Sequence, residues 1–395
     1  MLSRRGKSPK STRDLRIDFL RGLAMACVII DHSKRSSLLS WFSYQRFWVV
    51  SAAEVFVVLS GVVLGMVYGP RLARDGLRFV VVRLGRRALT LYLAFIGVTL
   101  SLLALSLAGV DISAVAAWDE NAIVWFLDPR SMTAQNWRDL LLLHHGPWAF
   151  EIVGLYVWLV LAAVPCLIAL QRIGWGPLLA ASWALYFLYR LAPYELTASE
   201  FEAVFPILAW QLLFVHGITI GYHRENIAAA VARCPRALPI GVACACVAFM
   251  TFALSNPSVE GPPWLYWRVF SPERFFALYD RYFSLTDLGI GRILNLGVAL
   301  PVGYALLAWC AIGSIAARLQ PLFVTLGQGS LGAFVLHVYG LLLLAHLPET
   351  DVLWINTVVQ VTLIVAIAAA LNALNRLPAR RRAPTIRAQI QPLAA

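Results

Sequence analysis

Long apolar runs of about 20 residues dominate this sequence, which is the length a helix needs to cross a bilayer. Hydrophobic residues make up 60% of the chain and charged residues only 14%. Closed barrels show short alternating segments instead, and that pattern is absent. Because only helices and closed barrels satisfy the backbone in lipid, we predict an all-α polytopic membrane protein, a bundle of about ten transmembrane helices. The ten candidate spans are 15–34, 47–69, 88–108, 148–170, 174–191, 205–221, 238–255, 291–312, 320–345 and 352–374.

Basic residues are distributed unevenly between the two sides of this topology. Most of the 33 Lys and Arg fall in the two tails and in the links on the same side. The positive-inside rule therefore places both termini in the cytoplasm. We expect disordered basic cytoplasmic tails at 1–13 and 378–395 around one membrane domain at 14–377. The net charge of +12 is explained by topology and contact with anionic lipid, so no nucleic-acid partner is predicted.

The six cysteines give no indication of a metal site. No pair of them has the spacing of zinc ligands, and five lie within the predicted spans. They are interpreted as small core residues. Neither a metal nor a bound cofactor is predicted.

Span 1 carries the most informative charged residues. Arg21 and His32 are eleven residues apart, so they lie on one helix stripe about 16 Å apart along the axis. Asp18 is on the same face within pairing reach of Arg21, and Asp31 precedes the histidine. Ionisable groups inside a span are costly and usually mark a site or a path. The alternative is snorkelling, which accounts for Arg21 better than for His32 and Asp31.

Two further ionisable residues are predicted at a depth similar to that of His32. Glu54 lies in span 2, where a carboxylate can orient an imidazole and stabilise its charged form. The alternative is a buried glutamate that bonds a neighbouring helix, because Gly61 and Gly65 share its stripe and favour close helix packing. His337 in span 9 is a second intramembrane histidine and a further candidate site residue. The alternative is that it only forms a hydrogen bond with a neighbouring helix.

Arg83, Arg86 and Arg87 cluster at the predicted cytoplasmic mouth of span 3. Arginine forks bind phosphate groups well. The alternative is that these residues are ordinary topological charge. Residue type alone does not separate the two.

Several stretches resemble one family of membrane enzymes. The Arg21-x10-His32 spacing in "RIDFLRGLAMACVIIDH", followed by "AAEVFVVLSGVVLGMVYG", resembles the OpgC-type branch of the membrane acyltransferase-3 superfamily. The superfamily's arginine pair before span 3 maps onto Arg83 and Arg86. Stretches at 150–165, 205–222, 288–300 and 326–340 fit as well, and the first of these adds Glu151 to the supporting site residues.

The resemblance implies a reaction, a location and residue roles. The enzyme would move an acyl group, succinyl above all, from cytoplasmic acyl-coenzyme A to hydroxyls of a periplasmic glucan or other glycan in a bacterial inner membrane. His32 would be the general base or a transient acyl carrier, Glu54 would orient it, and Arg21 would line the donor channel. The arginine cluster would bind the nucleotide end of the donor. The supporting residues would be Asp18, Asp31, His337 and Glu151.

Two alternatives remain open at this level. A transporter of a glycan or a lipid-linked sugar would also have intramembrane charges and many spans. An acetyltransferase acting on an exopolysaccharide would keep the chemistry and change the substrates. The sequence does not identify the acyl group, the acceptor or the oligomeric state.

Overall fold

The chain is described by a computed structural model over residues 14–43, 46–116, 130, 132–235, 237–259, 261–310, 314–348 and 350–376. The tails predicted at 1–13 and 378–395 lie outside these ranges. Every regular element within the described ranges is a helix, which confirms the all-α prediction.

The helices of the described residues follow one another with mostly short connections. Single 3-10 turns at Trp148–Phe150 and Pro263–Leu265 precede α5 and α11. In chain order the α-helices are α1 (Leu15–His32), α2 (Ala52–Leu107), α3 (Ser113–Ala116), α4 (Ala134–Leu141), α5 (Ile152–Arg172), α6 (Trp175–Leu191), α7 (Glu200–Val204), α8 (Ile207–Tyr222), α9 (Arg224–Ala232), α10 (Ala237–Leu254), α11 (Pro272–Tyr282), α12 (Ile290–Cys310), α13 (Ser314–Gln328), α14 (Ser330–Ala345) and α15 (Leu353–Arg376).

Membrane-spanning capacity is limited to part of this helix set. Among the described residues, five helices are long and apolar enough to cross a bilayer, in α2, the Trp148–Arg172 segment, α10, α12 and α15. The end of α13 and α14 meet at a 93° bend and would make a sixth as one broken span. The membrane class is thus confirmed, but the predicted count of ten is not. The location of the termini stays a prediction.

The difference in span number has identifiable causes. The α1 helix has 18 residues, and charged side chains occupy its first two turns and its end. The α6 and α8 helices have only 17 and 16 residues. A run of high hydropathy identifies an apolar segment of the sequence. The length of the unbroken helix decides whether that segment can cross the bilayer by itself.

The predicted link at 70–87 is helical, which corrects the sequence interpretation. Spans 2 and 3 form one 56-residue element, α2, whose helical backbone is interrupted at Gly76 (φ 81°). A straight helix of this length would be about 84 Å long, more than twice a hydrocarbon core. Gly76 supplies the positive φ that breaks α2 into two arms.

The core forms where α2 packs along α8 and α5, while α1 packs along α13. Gly61 and Gly65 of α2 face the backbone of α8, where Gly217 and Gly221 face α2 in return. A side chain at Gly61 would collide with the carbonyl oxygen of Phe214. The close helix packing predicted from this glycine stripe is confirmed.

Candidate functional site

The α1 helix presents the predicted Arg21–His32 stripe to the rest of the bundle. It begins after Asp14, whose carboxylate accepts a 3.1 Å hydrogen bond from the Arg16 backbone N–H and caps the helix. It ends at His32, and the Ser33 N–H bonds back to the carbonyls of the last turn. Both predicted site residues are therefore held on one rigid element.

The Arg21 end of α1 contacts the bend between α13 and α14. Arg21 Nη2 donates to Ser330 Oγ at 2.5 Å, and Gln328 Nε2 donates to Asp18 Oδ2 at 3.3 Å. These two contacts lie on either side of Gly329, where the helix direction changes. The predicted residues Asp18 and Arg21 thus fix the broken helix pair against α1.

The His32 end of α1 contacts a second histidine. His32 Nδ1 lies 3.3 Å from His337 Nε2, and His337 Nδ1 lies 2.6 Å from the Phe334 carbonyl oxygen. Because a carbonyl only accepts, His337 donates from Nδ1, and its neutral ring accepts at Nε2. His32 then donates from Nδ1, which leaves its Nε2 lone pair for another partner. The structure therefore brings the two predicted histidines together.

A cavity of about 1000 Å³ opens beside His32, and we call it the His32 cavity. Its wall near α1 includes Asp31 and the indole of Trp148, whose ring centroid is 4.8 Å from that of His32. Glu151 and Glu200 line it from α5 and α7. Its remaining lining is mainly apolar and aromatic, including Phe205, Phe275, Phe276, Tyr279 and Phe334.

The predicted supporting residues Asp31 and Glu151 both belong to this cavity. Asp31 accepts a 2.6 Å hydrogen bond from Ser43 Oγ and also borders a smaller pocket of about 220 Å³. Glu151 lies at the start of α5, directly after the turn that carries Trp148. Among the described contacts neither carboxylate bonds to His32, and both form part of the cavity wall.

Glu54 does not have the partner that the sequence predicted. Its two oxygens accept from Arg292 Nε at 2.7 Å and Nη2 at 3.1 Å, and both side chains are 0% exposed. Glu54 Oε2 also accepts from the Ser51 backbone N–H. The contact to His32 is supplied by His337 instead. The position of Arg292 inside predicted span 8 was the signal that could have identified it.

The three predicted donor-binding arginines lie on the arm of α2 after Gly76. Arg83 and Arg86 are exposed, and the Arg83 guanidinium is 5.3 Å from the Phe79 ring centroid. Arg87 is partly buried on the same arm. Arg83 and Arg86 therefore face the surroundings, whereas Arg87 is turned partly into the protein.

Sequence reasoning missed an ion pair at the cavity. His145 Nδ1 lies 2.7 Å from Glu200 Oε1, and this neighbouring carboxylate raises the pKa of His145. The two residues are far apart in sequence, so no local spacing indicates them. Within the described ranges, no group of three or more His, Cys, Asp or Glu side chains is placed to hold a metal ion.

Comparison with known proteins identifies one family. Neither the curated proteins nor the solved structures give a match to this chain. A family model described as OpgC protein matches residues 13–378, which is nearly the whole chain and includes the Arg21 end, the histidine pair and the His32 cavity. The chain therefore belongs to the OpgC protein family.

Proposed function

We propose that this protein is a membrane O-acyltransferase that moves an acyl group from acyl-coenzyme A to a hydroxyl of a glucan. Family membership supports glucan modification by acyl transfer. The observation that carries the proposal is the His32–His337 pair, which leaves one unprotonated nitrogen of His32 beside a cavity of about 1000 Å³. A hydroxyl that attacks a thioester needs such a base.

The proposed step balances on these atoms. The glucan hydroxyl gives its proton to His32 Nε2 while its oxygen bonds to the thioester carbon. The tetrahedral intermediate then expels the coenzyme A sulfur, which takes the proton from the imidazolium as the C–S bond breaks. His337 Nε2 accepts from His32 Nδ1 throughout, which fixes the ring and favours its charged form.

Arg21 acts on the donor at a distance from the reacting carbon in this proposal. It lies about 16 Å from His32 along the α1 axis, so it binds the coenzyme A arm or its phosphates. Arg83, Arg86 and Arg87 offer further guanidinium groups on the second arm of α2. Phosphate recognition by guanidinium groups supports this assignment.

The proposed setting is a bacterial inner membrane with both tails in the cytoplasm. The excess of Lys and Arg in the tails and in one set of links supports that orientation. Coenzyme A thioester would then meet the Arg21 end, and the glucan would meet the His32 end from the periplasm. Membrane lipid surrounds the apolar helices.

The test measures acyl transfer by purified protein with succinyl-coenzyme A and acetyl-coenzyme A. Free coenzyme A and acyl groups on the isolated glucan are quantified together. We expect His32→Ala to lose about 10²–10⁴ in rate, the usual contribution of a general base. His337→Gln should keep more activity than His337→Ala, because a side-chain amide oxygen still accepts from His32 Nδ1.

His346→Ala is the matched control, because this exposed histidine bonds only the Leu342 carbonyl among the described contacts. Its rate should equal that of the unchanged protein. Normal glucan acylation by well-expressed His32→Ala protein would overturn the catalytic assignment. If the unchanged protein released no coenzyme A but moved glycan across vesicles, the transporter alternative would replace the enzyme.

A further inference from the structure

The turn that follows His32 contains a residue with an unusual backbone conformation. Lys34 has φ 51°, in the left-handed region that residues other than glycine seldom adopt. Such a conformation persists only where the surrounding structure holds it, and it is concentrated at functional sites. The fold therefore maintains an unfavourable backbone geometry two residues after the proposed base.

Both neighbours of Lys34 are anchored by other helices. The buried side chain of Gln360 in α15 donates from Nε2 to Ser33 Oγ at 2.8 Å and to the Arg35 carbonyl oxygen at 3.0 Å. The Arg35 guanidinium donates to three carbonyls at and beyond the end of α14, those of Leu344, Leu347 and Pro348. These bonds fix the backbone on both sides of Lys34 and direct the Arg35 guanidinium to the end of α14.

The Lys34 side chain belongs to the wall of the His32 cavity. Its Nζ is 5.1 Å from the ring centroid of Trp148, and the ring centroid of His32 is 4.8 Å from that of Trp148. The indole is itself held in place, because Trp148 Nε1 donates to the Ala114 carbonyl oxygen at 3.0 Å. The ammonium and the proposed base therefore contact one fixed indole within the same cavity.

Charge distinguishes Lys34 from most of the cavity wall. Among the described lining residues, Lys34 and Arg35 are the cationic side chains, beside three acids, Asp31, Glu151 and Glu200. The guanidinium of Arg35 is engaged by backbone carbonyls. An ammonium has three donors and no acceptor, and its flexible four-carbon stem lets it follow a charge that develops nearby. Lys34 is therefore the lining residue suited to meet a negative oxygen beside His32.

We propose that Lys34 Nζ stabilises the oxyanion of the tetrahedral intermediate that forms beside His32. This inference rests on the proposed acyl transfer. As the hydroxyl oxygen bonds to the thioester carbon, the C=O electron pair moves onto the carbonyl oxygen, and the ammonium donates a hydrogen bond to that oxygen. When the C–S bond breaks, the C=O bond forms again and the ammonium releases it. Lys34 keeps its proton throughout, whereas His32 carries the proton in transit.

The experiment separates chemistry from binding in purified protein supplied with acyl-coenzyme A and glucan. Lys34→Met keeps an unbranched side chain and removes the charge. We expect kcat to fall about 10²–10³-fold, the usual effect of removing one oxyanion donor. The KM for glucan should change little, and so should the Kd for a ketone analogue of the donor in which a methylene group separates the sulfur from the carbonyl. Lys34→Arg should recover part of kcat, because it keeps the positive charge.

Three variants control for folding and for charge in general. Lys34→Asn should be at least as stable in thermal unfolding as the unchanged protein, because asparagine adopts the left-handed conformation more readily, yet as slow as Lys34→Met. Ala198→Asn is the backbone control, since Ala198 has φ 52°, is exposed and is not among the described lining residues. Arg268→Gln removes an exposed cation 5.5 Å from the Tyr266 ring centroid. Both controls should keep the normal rate.

A normal kcat in folded Lys34→Met protein would overturn the oxyanion assignment. A loss confined to donor affinity or to the KM for glucan would also overturn it, since Lys34 would then act in binding. In either case a slow His32→Ala variant would leave the proposed function standing. An unchanged protein that transfers no acyl group would overturn the proposed function and this inference together.

Discussion

At the residue scale, the buried Glu54 carboxylate forms an ion pair with Arg292, whereas His32 keeps a free nitrogen beside the cavity. Glu54 and Arg292 pair with each other at 0% exposure, and Arg292 also donates to the Phe283 carbonyl and the Tyr279 hydroxyl. That network joins the start of α2 to α12 and to α11, which forms a wall of the His32 cavity. Glu54 therefore supports the shape of the site from behind.

Breaking this pair should destabilise the fold more than it impairs the chemistry. Glu54→Gln leaves the Arg292 charge buried without its counter-charge, which costs about 3–5 kcal/mol in the free energy of unfolding. The double variant Glu54→Leu with Arg292→Met should recover most of that loss. Titration with denaturing detergent in mixed micelles measures the free energy of unfolding of each variant.

Glu225→Gln is the control for this comparison, since Glu225 forms an ion pair at 3.8 Å with its side chain 87% exposed. It should change stability very little. Acyl transfer per folded molecule should stay far closer to normal in Glu54→Gln than in His32→Ala. A Glu54→Gln protein of normal stability and no activity would restore the catalytic role that its sequence position suggested.

At the element scale, α2 packs along α8, and its first turn carries Glu54 and lines the His32 cavity through Ala52 and Ala53. Gly61 and Gly65 allow the two backbones to approach, and Gly217 and Gly221 do the same from α8. In lipid the hydrophobic effect does not drive helices together, so close van der Waals packing at interfaces of small residues stabilises the helix pair instead. The break at Gly76 then separates this packed arm from the second arm of α2, which carries Arg83, Arg86 and Arg87.

The same substitution at two positions of α2 should have opposite effects. Gly61→Ala puts a methyl group against the Phe214 carbonyl of α8, and we expect overpacking to cost about 1–3 kcal/mol. Gly97→Ala meets nothing within 4 Å and should gain about 0.5–1 kcal/mol from the lost flexibility of glycine. Unfolding of both variants in one detergent system provides the comparison. Equal stabilities would contradict the assigned α2–α8 contact.

At the scale of the whole molecule, contacts between distant segments complete the site. His337 reaches His32 from α14, Arg292 reaches Glu54 from α12, and Glu200 reaches His145 from α7. The last pair ties the segment before α5 to the start of α7 at the margin of the cavity. Because the Glu200 carboxylate raises the pKa of His145, the strength of this contact, the His145 tie, depends on pH.

The His145 tie should stabilise the protein at acidic to neutral pH. A raised pKa in the folded state means that the stabilisation is fully present below the ordinary imidazole value of 6.5 and is lost as the pH rises through the folded value. The difference in Tm between the unchanged protein and His145→Gln should therefore shrink as the pH increases above 6.5. Glu200→Gln should remove the same pH-dependent part. A constant difference across that range would contradict the ion pair.

The sequence by itself determined the membrane class, the helical content, the glycine stripe of α2 and the common stripe of Arg21 and His32 on α1. These features follow from hydropathy and from the 3.6-residue period, which act within one element. The sequence also placed His32 and His337 at a similar depth in the membrane, which is compatible with their contact but does not specify it.

Only the tertiary structure decided which groups meet. In the tertiary structure Glu54 pairs with Arg292, His337 contacts His32, and two predicted spans form the single element α2. A helical period fixes the face on which a residue lies, but a partner across the bundle depends on the rotation and depth of both helices. Those follow from packing over the whole chain, such as the close approach of α2 and α8, which no local pattern specifies.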